Sequence, residues 1–202
     1  MILGAHIILS AYGFWLPNDP RGSWSDFVVA WELVRFGKAT KVNTRRSVAG
    51  VPHDAALRRA AKQALKYPPV SFTGTQAVAI ASGFARAAGE GDYRIHACSI
   101  LPEHVHLVIQ QHDRKFEQNV SHLKSRATRE LRARGIDPMQ QFRDPDGSIP
   151  SPWGAGLWKV YINNPAHYRA AIRYVRDNPA KEGKEQQRWS FVVCRSLRSS
   201  AP

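Results

Sequence analysis

The fold is decided by the stretch Leu-Pro-Glu-His-Val-His-Leu-Val-Ile-Gln at residues 101–110. Two histidines alternate there with aliphatic residues, and a period of two is typical of a half-buried β-strand. The histidines are His104 and His106, and the aliphatic residues are Val105, Leu107 and Ile109. Residues two apart share one face of a strand, so the two imidazoles lie close enough to bind one metal ion. Such pairs also arise by chance, and a metal site needs a third ligand and a reactive group from elsewhere in the chain.

The length and charge of the chain indicate how many domains it forms and what kind of partner it binds. Its 202 residues suffice for one domain, which we expect over 1–194, followed by a disordered tail at 195–202. The chain carries 29 Lys+Arg against 16 Asp+Glu, a formal net charge of +13. This balance favours a polyanionic partner such as nucleic acid, although an anionic membrane surface also fits the charge.

Membrane and redox signals are lacking in the sequence. No apolar run is long enough to span a membrane and no signal peptide opens the chain, so we expect a soluble cytoplasmic protein without a membrane partner. Cys98 and Cys194 do not have the spacing of a redox or zinc motif, which indicates reduced thiols.

Local patterns predict an α+β fold. Strand formers predict strands at 5–12 and 93–101, the second pairing with the histidine strand as an antiparallel hairpin. Apolar residues at helical spacing predict helices at 54–66 with Asp54 as N-cap, at 75–88 with Thr75 as N-cap, and at 114–134.

Two segments lack a clear period and are predicted to be insertions or loops. The first, 25–52, holds a short helix candidate at 26–36 and is basic, with Arg45 and Arg46 among its charges. The second, 135–156, is rich in proline and glycine and is predicted to be a connecting loop.

Two segments are candidate DNA-binding surfaces. The loop after the first strand carries Trp15, Arg21 and Trp24, whose aromatic faces and guanidinium suit stacking on unpaired bases. An equal alternative is that both tryptophans anchor a long loop to the core. The predicted 114–134 helix has a basic face that either follows a phosphate backbone or is an ordinary solvated face. Its basic residues include Lys124, Arg126 and Arg129.

A helix near the end of the chain supplies a reactive group. Asn164 followed by Pro165 is a typical helix start, and Pro179 is expected to end the helix after Asn178. Tyr174 and Asn178 are four residues apart, so one helix face presents a phenol and an amide oxygen at the same place. With two histidines nearby, these groups suit phosphoryl transfer.

These motifs, in this order, resemble the REP-associated tyrosine transposases, which belong to the single-tyrosine branch of the His-hydrophobic-His nucleases. The likeness rests on the histidine strand, on Tyr-Val-Arg-Asp-Asn-Pro-Ala-Lys-Glu-Gly at 174–183, and on shorter runs at 12–17 and 188–192. It implies a ferredoxin-like antiparallel sheet with helices on one face, and a substrate of single-stranded DNA near a hairpin. The insertions at 25–52 and 135–156 exceed those of compact members, which affects the expected DNA recognition more than the chemistry.

The resemblance also implies roles for individual residues. His104, His106 and Asn178 match the ligands of a Mg²⁺ or Mn²⁺ ion, and Tyr174 matches the nucleophile of a DNA endonuclease and strand transferase. Attack by that tyrosine leaves a 5′-phosphotyrosine and a free 3′-hydroxyl. Beyond the helix, Lys181 and Lys184 are either phosphate contacts or solubilising surface charges.

Rival tyrosines and rival functions stay open at this point. Tyr161 precedes the predicted helix and Tyr168 falls on its core-facing stripe, so Tyr174 is favoured as the nucleophile. One rival function is a transposase descendant that binds hairpin or single-stranded nucleic acid without cutting it. Another is a metal-dependent hydrolase without a covalent step, which needs carboxylate ligands. The carboxylates nearest in sequence, none spaced to reach the histidine face, are Asp92, Glu103 and Asp113. The protein itself is expected to be a monomer or a homodimer.

Overall fold

The structure, a computed structural model, describes residues 1–42, 44, 48 and 50–193. The predictions made for Arg45, Arg46, Cys194 and the 195–202 tail fall outside these residues. In the part of the chain that is described, no helix combines the length and the apolar character needed to cross a membrane.

Four antiparallel strands form one sheet. They are β1 (Gly4–Ser10), β2 (Ile95–Ile100), β3 (His104–Gln110) and β4 (Trp158–Ile162), arranged in the order β2-β3-β1-β4. With two α-helices between β1 and β2 and one between β3 and β4, this order is the βαββαβ arrangement of ferredoxin-like folds with one additional helix in the first connection. The predicted α+β fold and the antiparallel β2–β3 hairpin are confirmed.

The helices begin and end close to the predicted positions. They are α1 (Ala55–Gln63), α2 (Gly74–Gly91), α3 (Phe116–Ala133) and α4 (Pro165–Lys181), with a 3₁₀ helix at Trp31–Phe36 inside the predicted 25–52 insertion. Asp54 caps α1 through the backbone amide of Leu57, as predicted.

Of the helix boundaries that differ from the prediction, two have a clear physical reason. The N-cap of α2 is Thr73, not Thr75, because Gln76 lies at the third helical position and completes a capping box with Thr73. Helix α4 continues past Pro179 to Lys181. A proline in the last turn removes only one backbone hydrogen bond, so the turn can still form around it.

Both faces of the sheet are covered by helices. Val105, Leu107 and Ile109 belong to the main hydrophobic core with α2 and α3, whereas Val108 packs on the opposite face against Val175 of α4. The predicted half-buried strand is therefore wrong, as is the expectation of helices on one face only. Because α4 covers the histidine face, it brings its own side chains directly over β3.

Residues beyond α4 cover the edge of the sheet at β2. The Gln187 amide group exchanges two hydrogen bonds of 2.7 Å with the backbone of Ile100, and the amide of Val193 donates to Ile95. An unpaired strand edge is a site for unwanted association, so these bonds protect it. The 135–156 loop also adds to the core, since Trp153 is buried against Phe72 and Phe84.

We expect Gly83→Ala to destabilise the protein by about 1–3 kcal/mol, the usual cost of overpacking. A Cβ at Gly83 of α2 would lie 2.5 Å from the Cα of Ala127 in α3, so the two helices would have to move apart. Gly89 of the same helix is the matched control because a Cβ there meets nothing within 4 Å. Urea unfolding should show a loss for Gly83→Ala and none for Gly89→Ala; equal stabilities would contradict the close helix contact.

Candidate active site

Three histidines meet on the α4 side of the sheet. His104 and His106 lie on one face of β3, and His6 of the neighbouring strand β1 lies on the same face. Nε2 of His6 is 3.1 Å from Nδ1 of His106, and the two rings stack with centroids 5.3 Å apart. This contact engages Nδ1 of His106 and leaves its Nε2 for another ligand.

His104 is held differently from His106. Its ring stacks on Phe14 with centroids 4.9 Å apart, and its Nε2 lies 3.6 Å from a carboxylate oxygen of Glu182, just beyond the end of α4. Its Nδ1 is buried and has no hydrogen-bond partner among the residues that the structure describes. A buried polar atom without a partner is costly, so a missing ligand is a physical explanation for it.

The phenol of Tyr174 lies over the histidines. Its ring centroid is 5.7 Å from that of His106 and 5.6 Å from that of His6, with the rings meeting edge to face. The side chain is 38% exposed, so a substrate can reach it. The ammonium of Lys181 lies over the ring of Tyr174, with Nζ 4.3 Å from the ring centre.

Asn178 follows Tyr174 by one helical turn and is 5% exposed, so its amide is buried under the end of α4. Among the described residues, no group of three His, Cys, Asp or Glu side chains is arranged to hold a metal ion. A site built on the two β3 histidines therefore needs a different kind of third ligand. An amide oxygen is a suitable one for a hard cation such as Mg²⁺ or Mn²⁺. The unpartnered Nδ1 of His104 and the buried amide of Asn178 are donors of the type that such an ion binds.

Burial keeps the three imidazoles neutral. It lowers the pKa of His104 and of His6 to about 4. It also lowers the pKa of His106 well below its ordinary value, with the neighbouring His104, His6 and Lys181 adding to the effect. Only a neutral imidazole can bind a metal ion, so these residues are in the ligand-competent state at neutral pH.

The same pKa shifts predict a loss of stability in acid. The pKa of His6 and of His104 is about 4 in the folded protein against an ordinary value of 6.5. Between these two values the unfolded chain binds protons that the folded protein does not, so the free energy of unfolding falls as the pH falls. The loss should reach roughly 3 kcal/mol for each imidazole near pH 4.

Urea unfolding across this pH range measures the loss. We expect His6→Gln to show a smaller loss than the wild-type protein, because the buried imidazole at position 6 is gone. Wild-type stability that stays flat from pH 6.5 down to about 4 would contradict the burial of neutral imidazoles.

Neither rival tyrosine shares this environment. Tyr161 of β4 pairs with Ala5, lies on the α2–α3 face of the sheet and contacts Phe116, so the sheet separates it from the histidines. Tyr168 is buried beside His96, nearly two helical turns before Tyr174. Of these three tyrosines, Tyr174 is the one whose ring contacts His106.

The structure gives internal partners to three of the predicted DNA-binding residues. The side chain of Arg21 is only 7% exposed. Its guanidinium bonds to the buried carboxylate of Asp19 and covers the ring of Trp15. Lys124 donates to two backbone carbonyls, and Arg126 pairs with Glu90. These contacts favour a structural role for Arg21, Lys124 and Arg126.

The other predicted DNA-binding residues are placed differently. Arg129 is exposed on α3, which packs on the face of the sheet opposite to Tyr174. Trp15 is partly exposed beside the histidine face, Lys181 contacts Tyr174, and Lys184 is exposed beyond α4. Of the basic residues predicted to bind DNA, Lys181 is therefore the one that the structure brings to the tyrosine.

Sequence reasoning missed three residues of this site. His6 is on a predicted strand, but its contact with His106 depends on the β1–β3 register, which no local pattern reveals. Phe14 lies in a loop. Glu182 was within the quoted 174–183 motif, and its position eight residues after Tyr174, two helical turns along, was the available signal.

Comparison with known proteins finds structural likenesses. No protein-family model matches the chain, and no curated protein matches it. The chain is similar to a REP-associated tyrosine transposase bound to a REP hairpin, with 16% identity and a TM-score of 0.46 over 95% of this chain and 76% of that one. It is also similar to a candidate transposase from Deinococcus radiodurans, with 13% identity and a TM-score of 0.39 over 93% of this chain and 94% of that one. Neither likeness is close enough to assign the chain to a family.

Proposed function

We propose that the protein is a metal-dependent endonuclease and strand transferase that cleaves single-stranded DNA near hairpins through a 5′-phosphotyrosine intermediate. The observation that carries the proposal is the contact of the accessible Tyr174 with a buried cluster of neutral imidazoles. A formal net charge of +13 supports a polyanionic substrate.

The residues of the site have separate tasks. The phenolic oxygen of Tyr174 attacks the scissile phosphorus in line, and the bond from phosphorus to the 3′ oxygen of the preceding nucleotide breaks. The phenol loses its proton and the released 3′ oxygen gains one. The new phosphotyrosine bond conserves the energy of the broken phosphodiester, so attack by another 3′-hydroxyl can rejoin DNA and release the tyrosine.

His104, His106 and Asn178 are the residues that would hold a Mg²⁺ or Mn²⁺ ion, which when bound polarises the scissile phosphate as a Lewis acid. His6 and Glu182 are not proposed ligands themselves but contact the two ligating histidines. The contact from His6 orients the ring of His106, and the carboxylate of Glu182 lies beside His104. Partners of this kind fix the tautomer and ring orientation of a ligating histidine.

Lys181 positions the substrate at the tyrosine. Its ammonium lies over the Tyr174 ring and attracts the phosphate of the substrate. We expect Lys181→Met to slow cleavage by about 10-fold. Lys184→Met is the matched control, since Lys184 is also exposed but three residues further from Tyr174. Equal single-turnover cleavage rates for the two variants would contradict a specific role for Lys181.

Incubation of the protein with end-labelled hairpin DNA and Mn²⁺, followed by a denaturing protein gel, tests the proposal. We expect label on the protein when the 3′ fragment is labelled, since the tyrosine takes the 5′ phosphate, and no label from the 5′ fragment. Chelation with EDTA should abolish the adduct. Tight binding of several hairpins with no adduct and no cleavage would instead support a non-catalytic binding protein.

A further inference from the structure

A cleft opens beside Tyr174 on the histidine face of the sheet. It has a volume of about 710 Å³ and is lined by β1, β4, α4 and the loop that follows β1. Helix α4 packs mainly over β2 and β3, so the half of this face formed by β1 and β4 is left to the loop. His6 and Tyr174 line the cleft, which makes it continuous with the candidate active site.

The part of the cleft lining that the structure describes is rich in aromatic side chains. Trp158 and Ile8 come from the sheet, and Trp15, Trp24 and Phe27 come from the loop. Not one of the described residues that line it is Asp, Glu, Lys or Arg, whereas hydroxyl groups of Ser10, Ser23 and Ser25 are present. Such a surface suits a flat, neutral ring with polar edges and is unsuited to a phosphate group.

The aromatic wall is held in place by other residues. The buried Asp19 accepts hydrogen bonds from Arg21 and from Arg58 of α1, and the Asn18 amide donates to the carbonyl of Leu33 at 2.7 Å. Trp24 is consequently not needed to anchor the loop. It remains 39% exposed and meets the ring of Trp158 edge to face, with centroids 6.0 Å apart.

We propose that this cleft binds unpaired nucleobases next to the scissile phosphate, an inference that rests on the proposed function. A DNA strand with its scissile phosphate at Tyr174 places its adjacent bases within reach of the cleft, while Lys181 attracts the phosphate outside it. Bases stack on aromatic side chains without regard to sequence. The volume lies within the roughly 300–1,000 Å³ range of small-molecule sites, which leaves room for more than one base.

Measuring DNA binding in the absence of metal tests this inference independently of the proposed cleavage reaction. The probe is a fluorescein-labelled oligothymidine of about ten nucleotides, a typical site size for single-stranded DNA. A second probe of equal length carries abasic nucleotides and therefore the same phosphates without bases. Both are titrated by anisotropy in EDTA against wild type, Trp24→Ala and Trp31→Ala. Trp31 is the matched control because it begins the 3₁₀ helix seven residues further along, is 84% exposed and does not line the cleft.

We expect Trp24→Ala to weaken binding of oligothymidine by about 10-fold, within the range for the loss of one stacked base, and Trp31→Ala to leave it unchanged. The abasic probe should bind the wild type more weakly and should not distinguish the three proteins. Equal affinities of Trp24→Ala and Trp31→Ala, or equal binding of both probes by the wild type, would overturn the inference. If these binding differences appear and no phosphotyrosine adduct forms, the proposed chemistry fails while the cleft assignment stands.

Discussion

Tyr174→Phe should abolish the covalent protein–DNA adduct and lower cleavage by a factor on the order of 10⁶, as removal of a nucleophile does in other enzymes. The substitution removes only the phenolic oxygen and keeps the ring that contacts His6 and His106. Binding of DNA in EDTA should be nearly unchanged. Single-turnover cleavage of labelled hairpin DNA with Mn²⁺, together with the adduct gel, measures the effect.

Tyr161→Phe is the matched control for this experiment. Tyr161 is also exposed, but it lies on the opposite face of the sheet, so its loss should leave the adduct intact. Thermal unfolding of both variants shows whether folding is affected. An adduct that persists in Tyr174→Phe would rule out Tyr174 as the nucleophile.

His106→Ala should lower metal-dependent cleavage by about 100-fold or more, because the variant loses one of the proposed metal ligands along with the ring that contacts Tyr174. The wild-type protein should bind Mn²⁺ in calorimetry and gain about 2.7 kcal/mol of stability when the free ion is at 100 times its dissociation constant. His106→Ala should show neither the binding nor the gain.

Two controls separate metal loss from a folding defect. His106 is buried, so its replacement also leaves a cavity, and unfolding without metal must be measured for the variant. His112 follows β3 in sequence and is outside the cluster, so His112→Ala should keep metal binding and the stability gain. Equal stabilisation of wild type and His106→Ala by Mn²⁺ would place the metal elsewhere.

Local sequence patterns were enough for three of the four strands and for the tyrosine helix, whereas β4 (Trp158–Ile162) was not predicted. The alternation at 104–109 identifies a strand because successive side chains of any strand point to opposite faces. Asn164 and Pro165 mark a helix start through their own backbone preferences. The N-cap of α2 was also within reach, because Gln76 follows Thr73 at capping-box spacing and no such partner follows Thr75.

Contacts between residues far apart in the sequence could not be predicted from these local patterns. The apolar stripe of α4 was predicted, but nothing local says which face of the sheet it covers, and so the burial of the histidine face was missed. His6 and His106 are 100 residues apart, and their contact follows only from the observed strand register. Arg21 looked available to DNA because the sequence does not show that Asp19 is buried beside it.

Mapping the DNA-linked residue tests the central claim most directly. Trypsin cleaves after Lys159, Arg169, Arg173 and Arg176, so Tyr174 falls in the peptide 174–176 while Tyr161 and Tyr168 share the peptide 160–169. After nuclease trimming of the adduct, mass spectrometry should find the nucleotide on peptide 174–176. A nucleotide on peptide 160–169, or cleaved DNA with no modified peptide at all, would contradict the account.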